Sequence, residues 1–324
     1  MRNRHVAGTV PVWHRIGRST QGAESSGAAL HMAELDWQVR EQALWANVGD
    51  GMRAVSSHKA IVRCDSEEVV GVVGRRWTPV QNAQAFRWLD ELVGAGSVRH
   101  EYAGCTRSGA LVWALVRLPV ELRIAGTDDI VHPFILVCNS HDGSVAFRAV
   151  NTSVRVVCSN AITHALRQAG PDRVTVKHTQ SVHERLADAQ AVLGASIERH
   201  RRLEVQINAL ARRKFTARDF TGFLDGVLGA SPKSDDHPDG EPTAARMRIA
   251  ANFDHELQRL RGIEHSAWAA FNAVSQYVDW ERPTRGGNGR AGDERRFQSA
   301  LLGPGAELKR RAFALAASMA AGGR

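Results

Sequence analysis

The stretch from Pro133 to Gly170, PFILVCNSHDGSVAFRAVNTSVRVVCSNAITHALRQAG, constrains the fold more sharply than any other part of this 324-residue chain. Asp142-Gly143 is a hairpin signal, because the pair accepts the positive φ angles of a type I′ turn whose twist matches its strands. Apolar runs flank it, Phe134 to Cys138 and Val145 to Val150. A two-residue turn sets His141 opposite Ser144, Asn139 opposite Ala146 and Val137 opposite Arg148. Alternation then puts Leu136, Cys138, Val145, Phe147 and Ala149 on a core face and leaves Asn139, His141 and Arg148 on the other. A second turn at Asn151-Thr152 leads into a third strand, Ser153 to Cys158, with Arg155 facing Arg148. A longer turn places the two arginines on opposite faces instead. Like charges across a ladder repel, and a carboxylate or phosphate between them relieves the repulsion. Ser159 or Asn160 caps a short helix, Ala161 to Gln168, ended by Gly170. A helix N-terminus beside a basic strand suits an anion.

Around this centre the chain divides into an irregular N-terminal arm (1–30), an α+β sheet domain (31–180) and a helical region (181–324) with mobile loops near 231–243 and 282–296. In the sheet domain the spacing of Leu35, Val39 and Ala43 predicts a helix over Met32 to Trp45. Strands follow at Arg53 to Cys64 and Val69 to Val73. Asn82 is expected to cap an amphipathic helix with Phe86, Leu89, Leu92 and Val93 on its apolar side. Further strands are expected at Val98 to Gly104, at Leu111 to Leu118 and, as an edge, at Val174 to Lys177. Hairpins between neighbours predict an α+β fold: a curved antiparallel sheet with helices on one face, followed by a helical C-terminal region. Helices are expected over Ser181 to Arg213, Ala217 to Leu228, Ala244 to Leu260, Ser266 to Val278 and Ala306 to Met319. Lys309, Arg310 and Arg311 are expected on or beside the exposed side of the last. The heptad-like seam from Val182 admits core packing within one subunit or a homo-oligomer through the helical region.

Net charge of +8 draws polyanions whatever the fold, so nucleic acid is the partner the composition suggests. No stretch approaches the ~20 apolar residues of a membrane span, and the first residues lack an apolar h-region. No membrane partner is expected, and a cytoplasmic location follows by default. The four cysteines are widely spaced, which suits reduced, mostly buried thiols. Phosphate-loop, dinucleotide and nucleophile-elbow motifs are absent, so no cofactor and no catalytic residue is expected. Cys138, His141, Cys158 and His164 are the nearest approach to a zinc set. The hairpin, however, points Cys138 and His141 to opposite sides of the sheet. Trp37, Trp88, Trp113 and Trp268 fit the apolar sides of their elements. Trp77 lies beside Arg75 and Arg76, and Trp280 beside Arg282. A base stacked on such a ring, its phosphate neutralised by arginine, is one use of that pairing; an indole shielded by an arginine stem is the other.

The run NSHDGS, the arginine strand and VRVVCSN resemble the phage/plasmid-like family called domain of unknown function 932. WTPVQNAQAFRWLDEL from Trp77, GALVWALVRLP from Gly109, HSAWAAFNAVSQYVDWERPTR from His265 and GPGAELKRRAF from Gly303 support the match. The resemblance covers most of Leu35 to Leu315 and departs at Ala161, where the family more often has threonine. It implies a phage, prophage or plasmid setting and brings no established activity.

Together these features lead to the expectation of a mobile-element protein that binds single-stranded DNA without covalent chemistry, by fold-level analogy with single-strand annealing proteins. Arg148 and Arg155 would contact phosphates, and Asn139, His141 and Asn160 would add polar contacts. Arg75, Arg76 and Trp77 would stack and neutralise, and Arg282, Arg285 and Arg290 would hold the strand from a flexible loop. The alternatives are a module binding a host or phage protein and a diverged nucleic-acid-processing enzyme.

Overall fold

Two near-continuous apolar runs, LVWALVR and IVHPFILVCNS, form neighbouring strands whose residues are buried on both faces, the pattern of strands at the centre of a sheet. The structure, a computed structural model, describes residues 12–94, 96, 98–155, 161–163, 173–179, 196–230, 243–284 and 289–322. In chain order these form α1 (Val12–Ile16), β1 (Gly17–Ser19), α2 (Ser26–Met32), β2 (Val39–Val48), β3 (Gly51–Arg63), β4 (Val69–Gly74), α3 (Asn82–Phe86) and α4 (Leu89–Gly94). There follow β5 (Arg99–Thr106), β6 (Leu111–Arg117), β7 (Leu122–Arg123), β8 (Ile130–Ser140), β9 (Phe147–Arg155), β10 (Ala161–Thr163) and β11 (Arg173–Val176). The helices α5 (Ser196–Arg212), α6 (Ala217–Leu228), α7 (Ala244–Arg259), α8 (Ala267–Gln276), α9 (Arg290–Leu302) and α10 (Pro304–Ala321) complete the set.

The fold is α+β, with antiparallel sheets and a helical C-terminal region, as the sequence predicts. The larger sheet runs β1-β5-β6-β8-β9; β10 and β11 pair with β9, and β7 pairs with β8. One face packs Val112, Ala114, Val116, Ile135, Val137, Phe147 and Ala149 against Leu30, Phe86 and Leu89 of α2 to α4. The other packs Trp113, Leu115, Phe134, Leu136 and Cys138 against Trp13 and Ile16 of α1 and Phe297 and Leu301 of α9. Helices therefore cover the sheet centre on both sides, and the face expected to be open and basic carries a core of its own. Trp113 needs the glycines beside it: a Cβ on Gly17 would lie 2.5 Å from its ring and one on Gly104 2.8 Å.

The second sheet, β2-β3-β4, replaces the helix expected over Met32 to Trp45. Leu35, Val39 and Ala43 lie four apart, a spacing that satisfies strand alternation as well as a helical turn, and long-range pairing with β3 decides for the strand. Ser25 caps α2, accepting from the Ala28 N–H. The outer half of the β2–β3 hairpin projects, leaving Trp45 57% and Met52 62% exposed.

Several local expectations change. Gln81 is the N-cap of α3, with Gln84 completing a capping box, and the helix breaks before α4; the Leu92 and Val93 side chains lie outside the described residues. The hairpin turn spans residues 141–146 rather than two. Its register pairs Cys138 with Arg148 and Val137 with Ala149, one residue away from expectation. That single step sends Phe147 and Ala149 to the face opposite Leu136 and Cys138. β9 continues through Asn151-Thr152, so Arg148 and Arg155 share one strand and do not face each other. Ala161–Thr163 is a strand rather than a helix start; Asn160 and the rest of that predicted helix lie outside the described residues. So do 180–195, where the seam from Val182 was expected to begin, and 231–242.

In the helical region α8 is buried all round, which makes it the axis on which α5, α7 and α10 assemble, with α6 packed on α10. Leu122, Ile124 and Val131 of the sheet half join this core. Arg290 to Arg296, expected as loop, forms the first turns of α9, because Phe297 and Leu301 anchor the helix on Trp113. Lys309 is fully buried rather than exposed, its Nζ 2.7 Å from Asp279 Oδ1. Among the described residues no helix is long and apolar enough to cross a membrane.

Candidate nucleic-acid interface

β4 ends in a turn that exposes Arg75 and Arg76 and leaves Trp77 half-buried. The Trp77 N–H donates to Gly74 O at 2.9 Å, and Thr78 N–H to His178 O at 3.1 Å, tying the turn to the residues after β11. The Trp77 ring stacks on His178, with centroids 4.6 Å apart and 15° between planes. His178 Nδ1 lies 3.1 Å from Thr78 O. A carbonyl only accepts, so Nδ1 carries the proton, and burial lowers the ring's pKa and keeps it neutral.

Beside this stack opens a cavity of about 340 Å³, walled by Arg76, Trp77, Gly143, Val145, Lys177 and His178. The sequence-predicted Arg76–Trp77 pair and the Asp142-Gly143 hairpin tip thus form one site. Among the described residues Arg75, Arg76 and Lys177 are exposed and have no carboxylate partner; Arg76 and Lys177 line the cavity, and Arg75 precedes Arg76 in the turn without lining it. Lys177 was not foreseen; its only signal was its place at the end of the predicted edge strand.

The hairpin's polar residues hold the tip from behind. His141, fully buried, donates from Nε2 to Asn82 Oδ1 at 2.9 Å; the Asn82 amide nitrogen is occupied with Leu35 O at 2.9 Å. Burial pushes the His141 pKa down to about 4. Asn139 is equally buried and donates to Val80 O at 2.9 Å. A strand laid on the surface reaches neither, so their expected contacts are replaced by a structural role. Asp142 pairs with Arg107 at 2.7 Å, and the Ser144 N–H donates to Asp142 Oδ1 at 3.0 Å. Gly71 lies against the tip so closely that a Cβ there would stand 2.4 Å from His141 O.

The other predicted residues fall elsewhere. Arg148, half-buried, is paired in register with Cys138 and Thr175. Its charge acts on the Cys138 thiol, whose pKa burial nonetheless pushes up to about 12. Arg155 pairs with Val131 through its backbone; its side chain, like Asn160 and Arg285, lies outside the described residues. Arg282 is half-buried and its carbonyl accepts from Arg296 Nη1 at 3.1 Å. Arg290 sits on α9, 3.1 Å from Glu294 Oε1. Cys138 and His141 serve opposite faces of the sheet, and no cluster of three potential metal ligands occurs among the described residues.

Residues 69–301 match the family model described as Domain of unknown function (DUF932). That segment contains the cavity, the hairpin and α8. No curated protein and no solved structure matches the chain.

Proposed function

We propose that this chain, which belongs to the family of domain of unknown function 932, binds nucleic acid, with single-stranded DNA as the ligand. The observation that carries the reading is the half-buried Trp77 ring at the wall of a cavity of about 340 Å³, rimmed by Arg76 and Lys177. An aromatic face takes a base of any identity, and the adjacent cations neutralise its phosphates. The volume sits at the lower end of ligand pockets, which suits one unstacked nucleotide rather than a duplex. In this reading Asn139 and His141 shape the cavity from behind, and annealing or recombination on a phage or plasmid is the setting. A rival reading, a module for a host or phage protein, draws on the exposed Trp45 and Met52 of the β2–β3 hairpin.

The test is binding of labelled single- and double-stranded oligonucleotides across a salt series by wild type, Trp77→Ala and Arg75→Ala/Arg76→Ala. The expected result is a single-strand preference that Trp77→Ala weakens by about 1–3 kcal/mol. The double arginine variant lowers the salt slope by about 0.7 for each phosphate it no longer neutralises. Equal, weak binding by all three proteins overturns the reading and favours the protein-partner alternative.

A further inference from the structure

Arg99 and Arg117 stand directly opposite each other on the β5–β6 ladder. Like charges in that relation are destabilising. They lie at the far end of β6 from the Trp77 cavity: β6 starts next to Ala110, whose carbonyl accepts from the His141 N–H, and ends at Arg117. Between the arginines opens a second cavity, of about 430 Å³, lined by Arg99, Arg117, Leu118, Pro119, Val120 and Glu121.

The surrounding groups leave this cavity positive. Arg117 Nη2 donates to His132 Nδ1 at 2.9 Å; an accepting Nδ1 is bare, so His132 is neutral and adds no charge. Glu121 is the nearby carboxylate, and it is shared at long range, 3.4 Å from Arg117 and 3.7 Å from Arg123. Arg99 is exposed and has no carboxylate partner among the described residues. Two guanidiniums, Arg99 and Arg117, therefore line the cavity with one carboxylate, Glu121, which Arg123 also approaches from outside it. Guanidinium forks match phosphate oxygens in pairs, and an anion between Arg99 and Arg117 would turn their repulsion into two attractions.

We infer that this cavity binds a phosphate monoester. The arginine pair holds the phosphate, the Leu118–Val120 wall takes the organic part, and Glu121 accepts from a ligand hydroxyl. The site is independent of the Trp77 cavity and does not rest on the strand-binding reading. A free nucleotide and the phosphorylated end of a strand share this chemistry.

The experiment is thermal unfolding of the full chain with inorganic phosphate or a nucleoside monophosphate, against sodium chloride at matched ionic strength, for wild type and Arg99→Ala. A ligand that binds only the folded state raises the unfolding temperature. Phosphate and the nucleotide are expected to raise it for the wild type, with apparent affinity at least tenfold weaker in Arg99→Ala. Without ligand, Arg99→Ala is expected to unfold at the wild-type temperature or above it, because a like-charge repulsion is gone. Equal shifts from phosphate and chloride, or the same phosphate shift in both proteins, would overturn the inference. Competition by a 5′-phosphorylated but not a 5′-hydroxyl oligonucleotide supports it and assigns the strand end. Competition by the nucleotide alone supports it and assigns a free ligand.

Discussion

Arg107 and Asp142 meet in a 2.7 Å ion pair that clamps the tip of the β8–β9 hairpin to the turn between β5 and β6. The same guanidinium donates to Ser144 Oγ at 2.7 Å, and the Arg107 backbone N–H donates to Glu294 Oε2 at 2.9 Å. One residue thus joins the hairpin, the turn and α9. It does so from a left-handed backbone, with φ of 53° at Arg107 and again at Ser108, which costs about 1 kcal/mol at each non-glycine position. Arg107→Ala is expected to lower stability by no more than about 1 kcal/mol, since the pair is partly solvated. Its larger effect falls on the tip: hydrogen exchange of amides 141–146 accelerates. Arg107→Gly relieves the strain while losing the clamp, so the same acceleration with a smaller stability loss identifies the side chain as the cause.

Gly71 is required for its close approach. A Cβ there would lie 2.4 Å from His141 O and 2.5 Å from Asp142 Cα, and backbone on both sides cannot yield as a flexible side chain would. Gly71→Ala is expected to destabilise by about 1–3 kcal/mol, measured by chemical denaturation. It should also shift Trp77 emission, because Gly143 of the displaced tip neighbours that indole.

Stability should fall on acidification through His141. Its pKa drops from 6.5 unfolded to about 4 folded, so between those values the unfolded chain binds the extra proton and stability rises with pH. The contribution is complete above pH 6.5 and lost as pH falls toward 4, about 3 kcal/mol over the window. Burial lowers His100 and His178 as well, which adds to the same slope. His141→Gln keeps a donor for Asn82 while removing the titration, and denaturation across this pH range should show a shallower dependence. An unchanged slope would refute the assignment.

Lys309 and Asp279 form a buried ion pair, 0% and 6% exposed at their side chains. Lys309→Met strands a buried carboxylate, and a loss of about 3–5 kcal/mol is expected. Lys309→Met/Asp279→Leu should recover most of it, since replacing both charges by apolar groups is often neutral. Urea denaturation of the single and double variants measures the difference.

The parts of the fold legible in the sequence were those fixed by local pattern. The strands around Leu111 and Val69, the helix from Ala217 and the buried Trp113 and Trp268 follow from runs and periods alone. What escaped was set by distant partners. The spacing of Leu35, Val39 and Ala43 fits a helix and a strand equally, and pairing with β3 chose between them. Lys309 reads as a surface cation until Asp279, thirty residues earlier, is brought against it. At the candidate interface, Arg75, Arg76 and Trp77 were visible as a basic and aromatic cluster, whereas Lys177 and the clamp from Arg107 depend on how the hairpin tip seats. Asn139 and His141 lie on the face that alternation assigns them, but the segment carrying Val80 and Asn82 packs over it, a distant partner that the local pattern does not announce.

The sheet face carrying Trp113 is closed by α1 and α9 together, with Phe297 4.7 Å from the Trp113 ring and Arg15 2.9 Å from Asp293. Segments nearly three hundred residues apart in sequence therefore share one core. During synthesis, a nascent chain can assemble β5, β6 and β8 long before Phe297 leaves the ribosome, and until then α1 alone covers Trp113, Leu115 and Phe134 on that side. Such transiently exposed apolar surface is where aggregation begins. A premature stop anywhere before α9 would make that state permanent, so truncated products should be cleared or insoluble even though most of the sheet is already encoded.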